Sequence, residues 1–175
     1  MTRLLTALGL ALALAACGPK TKAQDNAAAS ANLSAANAFM AANAKAPGVV
    51  ALPDGLQYKV VTTGPAGGPT PRPEDEVKVH YEGRLLGPAG KALEGQVFDS
   101  SFQRGQPADF PQLSGLIPAW IEALQKMHPG DEWILFVPPA LGYGEEGAGP
   151  IPPNSVLVFR VRLIGVESHP GGAAG

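Results

Sequence analysis

"LSGLIPAWIEALQKM", residues 113–127, sets how the rest of the chain is read. Apolar side chains recur at Ile117, Trp120, Ile121, Leu124 and Met127, while Glu122, Gln125 and Lys126 fall opposite them. That spacing is one buried face of an α-helix. Pro118 suits the first helical position, where its missing N–H costs nothing, and Pro129-Gly130 ends the run. The pattern predicts one helix over 117–127. Working outward, β-type stretches flank it on both sides. "LQYKVVTT" (56–63), "EVKVHYEGRLL" (76–86) and "QVFDSS" (96–101) precede it; "EWILFVP" (132–138) and "SVLVFRVRLIGV" (155–166) follow. In 76–86, Val77, Val79 and Tyr81 share one face and Lys78, His80 and Glu82 the other. Short connections make antiparallel neighbours. The fold class expected is α+β, a curved antiparallel sheet covering one helix.

Trp120 raises the question of function. Tyr81, Phe98, Phe110, Tyr143 and Phe159 bracket it in sequence. Such a set fills a core or lines a pocket, and spacing alone does not separate the two.

Composition narrows the classes. The chain has 175 residues, 45% hydrophobic and 16% charged, which suits one domain with an appendage. A net charge of −2 with no basic block argues against a nucleic-acid partner. Three histidines and one cysteine, far apart, offer no ligand cluster for a metal, and no cofactor is expected.

That cysteine, Cys17, follows an apolar run from Leu4 to Ala16 with Arg3 ahead of it. The run is shorter than the ~20 residues a spanning helix needs and fits a secretory signal. Leu14-Ala15-Ala16-Cys17 resembles the bacterial lipobox, in which the chain is cut before the cysteine and the thiol carries a lipid. The alternative is ordinary signal cleavage beside an incidental cysteine. The organisation expected is a lipoprotein signal over 1–16, a lipid-anchored spacer over 17–55, the folded domain over 56–166 and a tail over 167–175. Lipidation at Cys17 would place the protein in the cell envelope, anchored to a membrane without spanning it. Gly18 resembles the residues that sort lipoproteins to the outer membrane, facing the periplasm. Within the spacer, a short helix is expected to open at Ser34 and stop at Pro47-Gly48. Leu33, Phe39 and Met40 are its large apolar residues, a thin stripe that suits a spacer better than a homodimerisation surface.

Residues 76–166 resemble the FKBP-type peptidyl-prolyl cis-trans isomerases. "VKVHYEGRL", "VFDSSFQRGQPADF", "LIPAWIEALQKMHPGDEWILFVPPALGYG" and "IPPNSVLVFRVRLIGV" carry the likeness, in the family's order. "LPDGLQYKVV" ahead of them resembles the lead-in of the exported macrophage infectivity potentiator subgroup. The resemblance implies a half-barrel of antiparallel sheet wrapped around one short helix, with a proline pocket between them. It implies that Tyr81, Phe98, Phe110, Leu116, Trp120, Ile151 and Phe159 bind substrate, with Trp120 as the floor. Asp99, Tyr143 and the main-chain N–H of Ile117 would act on the reacting amide. The partners implied are proline-containing exported polypeptides, and macrolides of the rapamycin type.

The chemistry suits such a pocket. Rotation about an X–Pro bond faces a barrier of ~18–20 kcal/mol from amide resonance. The twisted transition state is less polar than the planar amide, so an apolar aromatic site favours it over water, and shape adds differential binding. Asp99 is the polar exception among these residues. A carboxylate among aromatics requires partners, and Arg104 and the Tyr81 hydroxyl are candidates. The alternative is that "DSS" opens a turn through Asx-type hydrogen bonds. His80 has the opposite strand parity from Tyr81 and reads as structural. Glu145 and Glu146 read as solvated loop charges.

Four departures from the family pattern stand out. "GPAGKALEG" lengthens the loop before "VFDSS", and the flap "GEEGAGP" lacks a large side chain. Ala108 and Ala119 stand where an aromatic and a glycine are usual. A binding module or holdase with little catalysis is the competing reading, and an envelope-structural lipoprotein a third.

Overall fold

A computed structural model describes residues 22–168. The expected signal, Cys17 and the end of the tail lie outside them. The elements run α1 (Lys22–Asn43), β1 (Val49–Ala51), β2 (Gln57–Thr62), β3 (Glu76–Leu85), β4 (Val97–Ser100), α2 (Ser101–Arg104), β5 (Ala108–Phe110), α3 (Pro118–Leu124), β6 (Glu132–Val137) and β7 (Leu157–Glu167). Seven strands form one antiparallel sheet in the order β1-β2-β6-β7-β3-β4, with β5 also on β3. The sheet wraps one side of α3 and does not close.

The alternation in 76–86 holds. Val77, Val79 and Tyr81 are buried and their neighbours are half-exposed. These residues meet Leu135, Val161 and Leu163 from the neighbouring strands and Trp120, Ala123 and Leu124 from α3 in one apolar core. Gly83 continues the inward series because nothing larger fits. A Cβ there would stand 2.6 Å from the Phe98 ring and 2.8 Å from Phe159.

β4 and β5 both pair with the outer edge of β3, β5 against Val77–Val79 and β4 against Glu82–Arg84. The ladder is open between them, at His80 and Tyr81. The one-turn helix α2 fills that gap. Buried Ser101 accepts a hydrogen bond from the Tyr81 N–H at 2.7 Å and reaches the Tyr81 carbonyl at 3.2 Å, so a side chain replaces the missing strand partner.

Four elements differ from expectation. α3 stops at Leu124, and Lys126 and Met127 continue through tighter i→i+3 bonds of 3.0 and 3.1 Å that still bury Met127. β1 and β5 are three residues each, too short for alternation to show. The N-terminal helix is already formed at Lys22, well ahead of Ser34, because "KAQDNAAASA" is rich in strong helix formers. It does not stand away from the domain either. Ala36 is 2% exposed, and Phe39 and Met40 pack on Ile134, Phe136 and Val158 of the convex face. Gln57 Nε2 donates to the Met40 carbonyl at 2.8 Å, and Asn32 Nδ2 to the Pro153 carbonyl at 2.8 Å.

Candidate active site

Between α3 and the concave face of the sheet lies a cavity of about 310 Å³. Tyr81, Phe98, Asp99, Phe110, Leu116, Ile117, Trp120, Tyr143 and Phe159 line it, together with Gly115. β3 supplies Tyr81, β4 Phe98 and Asp99, β5 Phe110, and β7 Phe159. The approach to α3 supplies Gly115, Leu116 and Ile117, and the loop after β6 supplies Tyr143. Residues spread from Tyr81 to Phe159 converge because the antiparallel sheet folds its inward side chains onto one helix.

Trp120 sits where these contacts meet. Its ring is met edge-on by Tyr81 at 5.2 Å, Phe159 at 5.4 Å and Phe110 at 5.6 Å, with interplanar angles of 77–84°. Perpendicular packing of this kind matches positive ring edges to negative faces and fixes each ring in place. Phe98 is set against Phe159 in the same way, 5.7 Å apart. Trp120 is 4% exposed, and its Nε1–H has no protein acceptor among the described residues. The tryptophan therefore serves core and cavity together.

Asp99 has the two partners the sequence offered. The Tyr81 hydroxyl donates to one carboxylate oxygen and Arg104 Nη1 to the other. Arg104 Nη2 also donates to the Tyr81 oxygen at 3.1 Å, which closes a triangle. Burial pushes the Asp99 carboxyl up, but the hydrogen bonds from Tyr81 and Arg104 outweigh it and hold the group below its ordinary value. Burial, then the bond to Asp99, pushes the Tyr81 hydroxyl up. Near neutrality Asp99 is thus an anion and Tyr81 a phenol, and neither is poised to exchange a proton. What they offer is a fixed dipole at the cavity wall.

Ile117 precedes α3 with extended dihedrals (φ −61°, ψ 148°). Its carbonyl accepts from Trp120 and Ile121, but its own N–H donates to no acceptor in the described chain. Pro118 behind it removes a competing donor. Tyr143 is 40% exposed, at the rim.

Ile151 is 6% exposed and packs in the same core cluster as Trp120 and Phe159, beside the residues that line the cavity, and its main chain bridges to Ala148. Gly115 and the Ser101 hub were missed by sequence reasoning. "DSS" was the signal for Ser101, but a serine that replaces a strand partner looks like any turn serine. The long loop keeps away from the cavity. Leu86, Gly87, Ala89 and Gly90 line a separate groove of about 810 Å³ against α1. His80 points to the convex face, 3.0 Å from the Ser101 hydroxyl.

Comparison with known proteins fits this geometry. Residues 67–164 match the model of the FKBP-type peptidyl-prolyl cis-trans isomerase domain. Residues 3–60 match that of the domain amino-terminal to it. The peptidyl-prolyl cis-trans isomerase Mip of Coxiella burnetii is 50% identical over 137 residues, 78% of this chain and 55% of that one. The outer membrane protein MIP of Legionella longbeachae is 44% identical over 149 residues, 85% of this chain and 60% of that one. This chain thus spans little more than half the length of these relatives. Among solved structures, FkpA from Escherichia coli superposes with a TM-score of 0.75 at 38% identity, over 85% of this chain and 65% of that one. A peptidyl-prolyl cis-trans isomerase from Pseudomonas syringae superposes with a TM-score of 0.68 at 40% identity, over 79% of this chain and 96% of that one. With sheet, helix and aromatic cavity in the order its motifs required, the chain belongs to the family of FKBP-type peptidyl-prolyl cis-trans isomerases.

Proposed function

We propose that this protein is an active peptidyl-prolyl cis-trans isomerase that assists the folding of exported, proline-containing polypeptides. The observation that carries this is the cavity itself: about 310 Å³, floored by Trp120 and ringed by Tyr81, Phe110 and Phe159. That volume suits a prolyl ring with part of the preceding residue, and the walls are apolar where the ring would sit.

Rotation proceeds without covalent chemistry. The aromatic walls favour the twisted amide, which has lost resonance and polarity, over the planar one. The free N–H of Ile117 donates to a substrate carbonyl and fixes the chain beside the proline. Asp99, held as an anion, faces the carbonyl carbon as it leaves the amide plane. The Tyr143 hydroxyl at the rim donates to substrate backbone. Each ~1.4 kcal/mol of preference for the twisted form gives tenfold in rate. An apolar rim favours Leu or Phe before the proline, and a rapamycin-type macrolide occupies the same cavity.

The protein works in the cell envelope, held by a lipid on Cys17. The sequence Leu14-Ala15-Ala16-Cys17 supports the anchor, and relatives named outer membrane protein MIP and FkpA support the location.

The test is the cis-to-trans rate of a Leu-Pro tetrapeptide with the wild type, Asp99→Leu and Tyr143→Phe, with and without rapamycin. Acceleration by the wild type, reduced ~10-fold or more by Asp99→Leu and less by Tyr143→Phe, and abolished by rapamycin, is expected. No acceleration by folded wild-type protein would overturn the isomerase reading.

A further inference from the structure

The Arg104 side chain that holds Asp99 stands on α2, a single turn of four residues. One turn cannot hold itself, because nucleating a helix fixes several dihedrals for one hydrogen bond. Its ends are capped, by the Ser100 hydroxyl accepting from the Gln103 N–H at 3.2 Å and by Gly105 at φ 73°. Caps set the shape of the turn but do not fix it to the sheet. Ser101 does so on one side, through its hydroxyl to the Tyr81 main chain.

The second attachment is Phe102, on the convex face away from the cavity. Its ring stacks on His80, centroids 4.8 Å apart and planes within 14°. The Arg160 guanidinium lies 5.0 Å from the ring centroid and that of Arg162 6.0 Å away. Both arginines are fixed by Glu132, 3% exposed, whose two carboxylate oxygens accept from Arg160 Nε and Arg162 Nε at 2.7 Å each. An unbroken series of contacts thus runs from a buried carboxylate on β6, through two cations and an aromatic ring, to the turn that carries Arg104.

We infer that Phe102 is a positioning residue for the isomerase site, clamped between His80 and the Arg160–Arg162 pair so that Arg104 is held against Asp99 and Tyr81. The inference rests on the isomerase reading of the cavity, and its mechanism is local. With the clamp released, α2 pivots about Ser101, Arg104 returns to solvent and Asp99 loses one of its two partners. The ring contacts of Phe102, with His80, Arg160 and Arg162, include no cavity residue, and the route argued here runs through Arg104 rather than through the Ser101 hydrogen bonds to Tyr81.

A double-mutant cycle isolates that route. Phe102→Leu keeps apolar bulk while removing the aromatic face, and is measured alone and in an Arg104→Ala background. Phe102→Tyr serves as the conservative control. Expected is a fall in kcat/KM of about fivefold for Phe102→Leu in the wild-type background and less than twofold beside Arg104→Ala, with Phe102→Tyr near wild type. A purely structural role would give the same factor in both backgrounds, and that result, or no loss at all in the wild-type background, would overturn the inference. Carboxyl NMR titration of Asp99 in the same samples reads the clamp without catalysis. Tyr81 on β3 and Arg104 on α2 are the groups that face this carboxyl. Its midpoint should rise in Phe102→Leu and stay low in Phe102→Tyr. An unchanged midpoint would contradict the inference even if the protein had no isomerase activity, whereas a rise with no wild-type activity would keep the clamp and remove only the isomerase reading.

Discussion

The two faces of the sheet are built from the same strands and do different work. Along β7, Val161 and Leu163 point to the concave side and are fully buried, while Arg160, Arg162 and Ile164 point to the convex side and are exposed. Phe159 on the concave side reaches Trp120. Val158, one residue earlier on the other side, is fully buried because α1 lies over it with Phe39 and Met40. The concave face is a continuous apolar surface with a cavity in it. The convex face is buried where α1 covers it, and beyond the helix it carries exposed Ile164, the Glu132–Arg160–Arg162 charges and the His80–Phe102 stack. Side-chain parity thus separates the cavity from its support, and the support side can be altered with less damage to the cavity.

Substitutions on each face test that separation. Leu163→Ala removes fully buried concave packing and should cost about 2–5 kcal/mol of stability by chemical denaturation. A loss under ~1 kcal/mol would mean the concave core is looser than its burial implies. Phe39→Ala, on the α1-covered part of the convex face, should cost about 1–2 kcal/mol, since the ring is only part-buried. Its signature is local. Amide hydrogens of α1 should exchange far faster while those of β3 and β7 keep their protection. Uniform loss of protection would mean the helix and sheet are one cooperative unit.

Glu132→Gln probes the charged part of the convex face. Burial pushes the Glu132 carboxyl up, but hydrogen bonds from Arg160 and Arg162 outweigh it and hold it below its ordinary value. A carboxyl lowered on folding contributes stability that is present above its unfolded value, near ~4.3, and lost as pH falls through the folded one. The wild type should therefore exceed Glu132→Gln by about 1–2 kcal/mol at neutral pH, and the two stability curves should converge in acid. Curves that stay parallel down to acid pH would show that the arginines do not hold this carboxylate. Smallest of all, Ile164→Thr changes an exposed position, 40% accessible, and should stay within ~0.5 kcal/mol of the wild type.

The same two faces explain what was legible beforehand. Concave residues follow strict rules: alternation in 76–86 and helical spacing in 117–124 are both imposed by one apolar surface, so the sheet and helix could be read from the residues. Most of the cavity lining was then available through family motifs, with Trp120 at its centre. Gly115 was not singled out because it has no side chain to mark it, although it lies beside Leu116 and Ile117 in the lining. Convex-face features were hidden for a related reason. The clamp on Phe102 joins residues 80, 102, 132, 160 and 162, each of which reads as an ordinary surface residue of its own segment. α1 was misjudged at its start because alanine-rich sequence has no apolar stripe to mark where docking begins.

The central claim is that Trp120 and the rings around it accelerate prolyl rotation. The most direct measurement is magnetisation exchange between the cis and trans forms of a Leu-Pro peptide, with wild type and Trp120→Leu at equal folded concentration, checked by far-UV circular dichroism. The account predicts exchange well above the uncatalysed rate with the wild type and a loss of most of that acceleration with the variant. Equal exchange with both proteins would contradict it, because catalysis would then not depend on the floor of the cavity.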